Sequence, residues 1–248
     1  MPFLSHLAEL RQRLAILVGV LLLVAVGLYF FTDPIWKVLT GPVVFLLPGG
    51  KGTTLSPLEA MTLKFKIAIW ASVLVCSPLV IWQTFAFFLP ALKPKERRWF
   101  VPTFVAAVIL FMGGVTFCYQ VVLHTSVSWL AAQNGQIFTL LPRAQDVLTV
   151  VTFFLVGFGI AFETPIVVFY LVYFGVIQYD KLRSNWRVVY VAIAIIAAMI
   201  TPDWSPISMG ALAIAMVVLY ELSMATVRIV LSRKIAAQKL AESAEEAA

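Results

Sequence analysis

Between Val147 and Gly175 the chain is almost continuously apolar, and a single carboxylate, Glu163, stands near the middle of the run. A helix rises about 1.5 Å per residue and the bilayer's hydrocarbon core is about 30 Å thick, so a run of this length can cross and would carry the acid at membrane depth. A charged side chain there costs about 2.5 to 3.5 kcal/mol on insertion scales and normally faces a polar cavity, a protein partner or a proton. Glu163 is therefore the first functional candidate. Pro165 removes a backbone donor and clashes with the preceding turn, while Gly157 and Gly159 loosen the helix ahead of the acid. The expectation is a bent helix that presents Glu163 on its concave side.

The same run-by-run reading covers the rest of the chain. Apolar segments lie at Leu14 to Phe31, Ile67 to Leu89, Val101 to Leu123, Val147 to Gly175, Val188 to Ile200 and Ile207 to Leu222. With 62% hydrophobic and 12% charged residues, most of the 248 residues cannot be the surface of a soluble domain. The expected class is all-α, a polytopic membrane protein with six transmembrane helices in one domain over residues 1–231, followed by a tail over 232–248. The first four runs are long enough to cross. The fifth and sixth, with 13 and 16 residues, reach only part of the way and are expected to be short, or to form a hairpin that dips in and returns. Their joint, Thr201 to Pro206, is a polar turn with two prolines. A short span implies local thinning of the bilayer on that side.

Charge orients the spans. Thirteen of the 18 Lys and Arg precede the first run, lie between the second and third or the fourth and fifth, or follow the sixth. The positive-inside rule then places both termini in the cytoplasm. The net charge of +6 is accounted for by topology, and no basic stripe interleaved with aromatics points to nucleic acid. No cleavable signal pattern precedes the first run, which reads as a retained anchor. The external segments Thr32 to Lys66 and His124 to Asp146 read as turns and short interfacial helices, too small to bury a core.

Catalytic constellations are close to absent. His6 and His124 fall on opposite membrane faces, no hydrolase or phosphate-loop motif is present, and Cys76 and Cys118 sit in apolar runs as small hydrophobes. Neither a metal nor a cofactor is expected, and an enzyme is not the expected class. Glu221, the other acid in an apolar run, lies near a span end and is expected to snorkel toward Arg228. Glu163 beside a broken helix also suits a proton- or cation-coupled small-solute transporter, or a scaffold with a satisfied core acid.

Two segments on the cytoplasmic face carry more information. His6 to Leu14 is an amphipathic lead-in in which Glu9 can pair with Arg13 four residues later. Phe87 to Arg98 is a proline-bounded loop that sets Glu96 among four cations. Both acids stand beside span ends on one face, where they could jointly receive a cationic peptide.

Taken in order, His6-Leu7-x-Glu9-Leu10-Arg11-x-Arg13-Leu14, Pro42, Phe87 to Arg98, Phe162-Glu163-x-Pro165 and Thr201-Pro202-Asp203 resemble the TatC family over essentially the whole chain. That family is the multi-spanning receptor of the twin-arginine protein translocase. The resemblance implies a concave, glove-like bundle in the bacterial cytoplasmic membrane and export of folded proteins driven by the proton-motive force. It implies that Glu9 and Glu96 receive the paired arginines of a signal peptide, with Arg11, Arg13, Phe87, Pro90, Arg97 and Arg98 shaping the surface. It assigns Glu163 to an intramembrane polar site that contacts a partner, and Pro42 and Asp203 to external positions tied to transport or assembly. The implied partners are twin-arginine signal peptides, TatA- and TatB-type single-span proteins, further copies of the chain and membrane lipid. One departure is visible: many relatives read Thr-Pro-Pro-Asp where this chain has Thr201-Pro202-Asp203.

Overall fold

The structure, a computed structural model, describes residues 2–88, 100–133, 141–203, 205–230 and 232. Among them it is helical, and its only β pairing is one isolated bridge, Thr53 with Arg143. Contacts divide the chain into two compact units, the first ending at Gly159 and the second beginning at Ile160.

The first unit opens with α1 (Pro2–Tyr29), which packs along α3 (Pro57–Val75) and α4 (Ser77–Phe88). Tyr29 stacks on Phe65 at 4.9 Å between ring centroids and closes the far end of that pair. The helix α2 (Thr32–Thr40) and two short 3-10 turns, Gly41–Leu46 and Pro48–Gly50, fill the segment read as interfacial. The third helix begins ten residues before the apolar run, because Ser56-Pro57-Leu58-Glu59 is a helix start. Ser56 Oγ accepts the Glu59 N–H at 3.2 Å, Glu59 Oε2 accepts the Leu55 N–H at 2.8 Å, and Pro57 occupies the first turn where no donor is needed. Cys76 separates α3 from α4, and the two are bent by 57°.

The helices α5 (Phe100–Phe117) and α6 (Leu123–Ala132) form one 33-residue span through a π-helical turn at Cys118–Val122. The apolar run stops at Leu123 while the helix goes on, since Thr125 and Ser128 bond their hydroxyls to the carbonyls of Val121 and His124. After it, α7 (Ala144–Ala161) lays Phe154 and Phe158 wholly into the core. Gly159 does not loosen this helix. Its role is contact, because a Cβ there would lie 2.6 Å from the Phe111 ring.

A clasp fixes the start of α7. The Ala144 N–H donates to Thr53 O at 2.9 Å, Thr53 Oγ1 donates to Pro142 O at 2.7 Å, and Arg143 Nη2 donates to Glu59 Oε1 at 3.1 Å. A Cβ on Gly52 would meet Ala144, at 2.8 Å from its Cα, and backbone cannot swing aside. Gly52→Ala should therefore cost about 1 to 3 kcal/mol by overpacking. A lower thermal midpoint of the purified protein is the expected readout, and an unchanged midpoint would mean that the clasp yields.

The second unit contains α8 (Thr164–Tyr173), α9 (Tyr179–Ser184), α10 (Trp186–Ile200) and α11 (Pro206–Val230). Along α11, Leu212, Met216, Tyr220, Met224 and Val227 are buried at helical spacing, and α8 and α10 pack against that helix. Val172 and Val227 form a cluster with Phe169, Tyr173, Tyr179 and Leu182 around it. Ser223 Oγ donates to Pro165 O at 3.0 Å across the α8–α11 contact.

Two expectations change here. The sixth apolar run ends at Leu222, but α11 continues to Val230 and its 25 residues are long enough to cross; Thr226 Oγ1 satisfies itself on Leu222 O at 2.8 Å, which keeps that last stretch helical. Only α10, with 15 residues, stays short of a full crossing. Glu221 does not turn to Arg228. Its Oε2 accepts from Arg183 Nη1 at 3.0 Å and its Oε1 from the Tyr190 hydroxyl at 2.7 Å, so it joins α9 and α10 to α11.

Candidate functional site

The lead-in predicted from the sequence is continuous with the first span, both being parts of α1. Glu9 and Arg13 are one helical turn apart, and the pair forms: Arg13 Nε and Nη2 both donate to Glu9 Oε1, at 3.0 and 2.7 Å. The remaining arm, Arg13 Nη1, reaches Gln83 Oε1 on α4 at 3.4 Å. Sequence reasoning missed Gln83, although a lone amide inside the apolar run Ile67 to Leu89 was a signal. Together Glu9 and Gln83 form a slot whose acceptors match a guanidinium fork. Both members of the ion pair keep about a third of their side-chain surface exposed, at 28% for Arg13 and 33% for Glu9. An exposed pair of this spacing is worth about 0.3 to 0.5 kcal/mol, so exchange of Arg13 for another guanidinium is cheap.

The other predicted recognition residues are placed as follows. Arg11 is exposed on α1, and Phe87 is half-buried near the end of α4. Pro90, Glu96, Arg97 and Arg98 lie outside the described residues. Pro42 is half-buried in the 3-10 turn that follows α2, and the carbonyl of Val38 just before that turn accepts the Tyr119 hydroxyl at 2.7 Å. That bond ties the Pro42 turn to the π-helical segment of the third span.

Glu163 sits in a two-residue interruption between α7 and α8, within a 30-residue span. Pro165 has no N–H to offer the carbonyl of Ala161, and the Thr164 hydroxyl takes that acceptor at 2.5 Å instead. The Glu163 carbonyl still accepts from Ile166 and Val167, so the helix restarts at once. The break is local, and the span carries on through it. The Glu163 side chain is half-buried, and its buried Oε1 has no hydrogen-bond partner among the described residues.

Asp203 lies in the turn between α10 and α11 and is only 8% exposed. Its Oδ1 accepts the Ser208 hydroxyl at 2.6 Å, and Ser205 Oγ accepts the N–H groups of Ile207 and Ser208, so the turn caps α11. Burial raises the Asp203 carboxyl above the ordinary aspartate range, and the hydrogen bond from Ser208 opposes that rise. An acid raised in the folded state stabilises the fold most when protonated, and its contribution is lost as pH rises through the folded-state value. The thermal midpoint of Asp203→Asn relative to the parent should accordingly climb from acid to neutral pH. A difference independent of pH would remove burial as the dominant influence on this carboxyl.

This architecture defines a helical multi-pass membrane protein with a guanidinium slot beside its first span and an unpaired carboxylate at membrane depth. A family model described as Sec-independent protein translocase protein (TatC) matches residues 5–215. A TatC of Deinococcus radiodurans is 34% identical over 92% of this chain and 86% of its own length, and one of Aquifex aeolicus is 35% identical over 96% and 100%. A crystal structure of the twin arginine translocase receptor TatC superposes with a TM-score of 0.71 at 32% identity, covering 88% of this chain and 96% of that one. A second, in DDM, gives 0.73 over 88% and 97%. The chain belongs to the TatC family, and is a subunit of a Tat protein translocase.

Proposed function

We propose that this chain is the receptor and core subunit of its translocase, binding the paired arginines of twin-arginine signal peptides through Glu9 and Glu96. The observation that carries this reading is the Glu9–Arg13–Gln83 arrangement, in which one carboxylate oxygen accepts two nitrogens of a guanidinium and an amide oxygen accepts a third. A site that already holds one arginine side chain suits another. The weakly held Arg13 is what an incoming arginine replaces, and Arg11, Phe87, Pro90, Arg97 and Arg98 shape the surface around it. Lysine offers a point charge without the planar fork and should bind less well. The solved relatives are named as twin arginine translocase receptors, which supports the same reading.

The charge bias of the sequence puts both termini, and with them this slot, on the cytoplasmic side of a bacterial inner membrane. Residues 1–231 act as one membrane domain. Glu163, with an orphaned buried oxygen, is the intramembrane contact for a TatA- or TatB-type single-span helix. Pro42 and Asp203 belong to assembly on the other face, where further copies of the chain meet. The proton-motive force supplies the energy for transport. The test is binding of a signal peptide to the purified protein, with Arg-Arg compared against Lys-Lys. A preference for Arg-Arg is expected, and equal binding would overturn the receptor reading in favour of ion-coupled transport at Glu163.

A further inference from the structure

Within the second unit, α8, α10 and α11 leave an open cleft of about 320 Å³. Its wall is apolar along almost its whole length, with Leu171 from α8, Leu182 from α9, Val189, Ile193 and Ile196 from α10 and the Tyr220 ring from α11. The lining residues of α10 run from Val189 to Ile200 on one helical face, a length of about 16 Å at helical rise. A helix about 10 Å across would displace roughly 1,250 Å³ over that length. The cleft is several-fold too small for one and suits a single hydrocarbon chain.

Charge at one end identifies what the chain belongs to. Leu182, on the cleft wall, lies in α9 beside Lys181 and Arg183, and its carbonyl accepts the Tyr220 hydroxyl at 3.1 Å, which pins α9 over this end. Arg183 is neutralised by Glu221 at 3.0 Å. Lys181 and Arg187 make no ion pair among the described residues. The Arg187 guanidinium instead lies over the Trp186 ring, 5.4 Å from its centroid, which occupies its face and leaves its in-plane donors for an anion. Trp186 is 42% exposed and is the first residue of α10, the position of an interfacial anchor. An apolar cleft thus meets unpaired cations at the level of the lipid headgroups. α10 is also too short to span the full hydrocarbon core, so a lipid seated beside it would be held in the thinned zone rather than exchanged freely.

We propose that this cleft binds one anionic glycerophospholipid, with an acyl chain along α10 and its phosphate held by Lys181 and Arg187. The site is separate from the arginine slot and from Glu163, and the proposal does not depend on signal-peptide recognition.

The test is native mass spectrometry of the full-length protein in detergent, titrated with phosphatidylglycerol or phosphatidylcholine. One tightly retained phosphatidylglycerol is expected, with about tenfold preference over phosphatidylcholine. Lys181→Gln with Arg187→Gln should abolish the preference, and Ala192→Phe, which fills the cleft, should abolish tight retention of both lipids at an unchanged thermal midpoint. Equal retention of the two lipids by the parent, or a preference that survives the double substitution, would overturn the headgroup assignment. Lipid retention unaffected by Ala192→Phe, or loss of a single-span partner instead of lipid, would overturn the acyl-chain assignment.

Discussion

Glu9→Gln should weaken binding of a twin-arginine signal peptide about ten- to hundredfold. The loss follows from what the substitution removes. Gln keeps the length and one acceptor oxygen, but the charge that strengthens a hydrogen bond to guanidinium is gone, and hydrogen bonds to charged groups contribute about 1.5 to 3 kcal/mol. At about 1.4 kcal/mol per decade, that range corresponds to the stated loss. In the unliganded protein Glu9 bonds Arg13, a partly exposed pair worth only tenths of a kcal/mol, so folding and yield should barely change. The measurement is fluorescence anisotropy of a labelled peptide on purified protein, with Gln83→Ala alongside. Gln83 accepts a single arm at 3.4 Å, and its loss should cost less than that of Glu9. If Glu9→Gln binds as tightly as the parent, the slot on α1 is not where the arginines go.

Hydropathy made the spans legible because a bilayer imposes one length and one polarity on whatever crosses it. It failed at the ends, for reasons that differ from helix to helix. The start of α3 was written in Ser56-Pro57-Leu58-Glu59, a cap whose chemistry is independent of apolar content. The extensions of the third span past Leu123 and of α11 past Leu222 use Ser and Thr, which hydropathy counts as breaks although their hydroxyls bond back to their own helix. Partners across the chain were harder to read. Glu9 with Arg13 is a four-residue spacing and could be read directly, whereas Arg13 with Gln83 spans 70 residues and Arg183 with Glu221 spans 38. Such pairs depend on how helices pack, which no single run contains. The interruption at Glu163 was legible because Pro165 removes one particular hydrogen bond. That Thr164 would repair it, keeping the break to two residues, needed the three-dimensional placement of its hydroxyl.

The same interruption decides what Glu163→Gln should do. A core acid bonded within its own chain would lose stability when its charge is removed. Glu163 Oε1 is buried and accepts nothing among the described residues, so removing the charge relieves a desolvation cost and withdraws no internal partner. Glu163→Gln should therefore fold with a thermal midpoint equal to or above that of the parent. Its effect should fall on association with a single-span partner helix, where an interhelical hydrogen bond at membrane depth contributes about 1 to 2 kcal/mol. Co-purification and site-specific cross-linking at this depth should drop about 5- to 30-fold, by the usual conversion of free energy to affinity. Glu163→Ala should lose the remainder, since it also removes the amide that could still bond a partner. Signal-peptide affinity, measured on the same preparations, should stay within twofold for both variants, because the arginine slot is built from α1 and α4 alone. A Glu163→Gln protein that unfolds at lower temperature and keeps its partner would show that the carboxylate serves the fold instead of the contact.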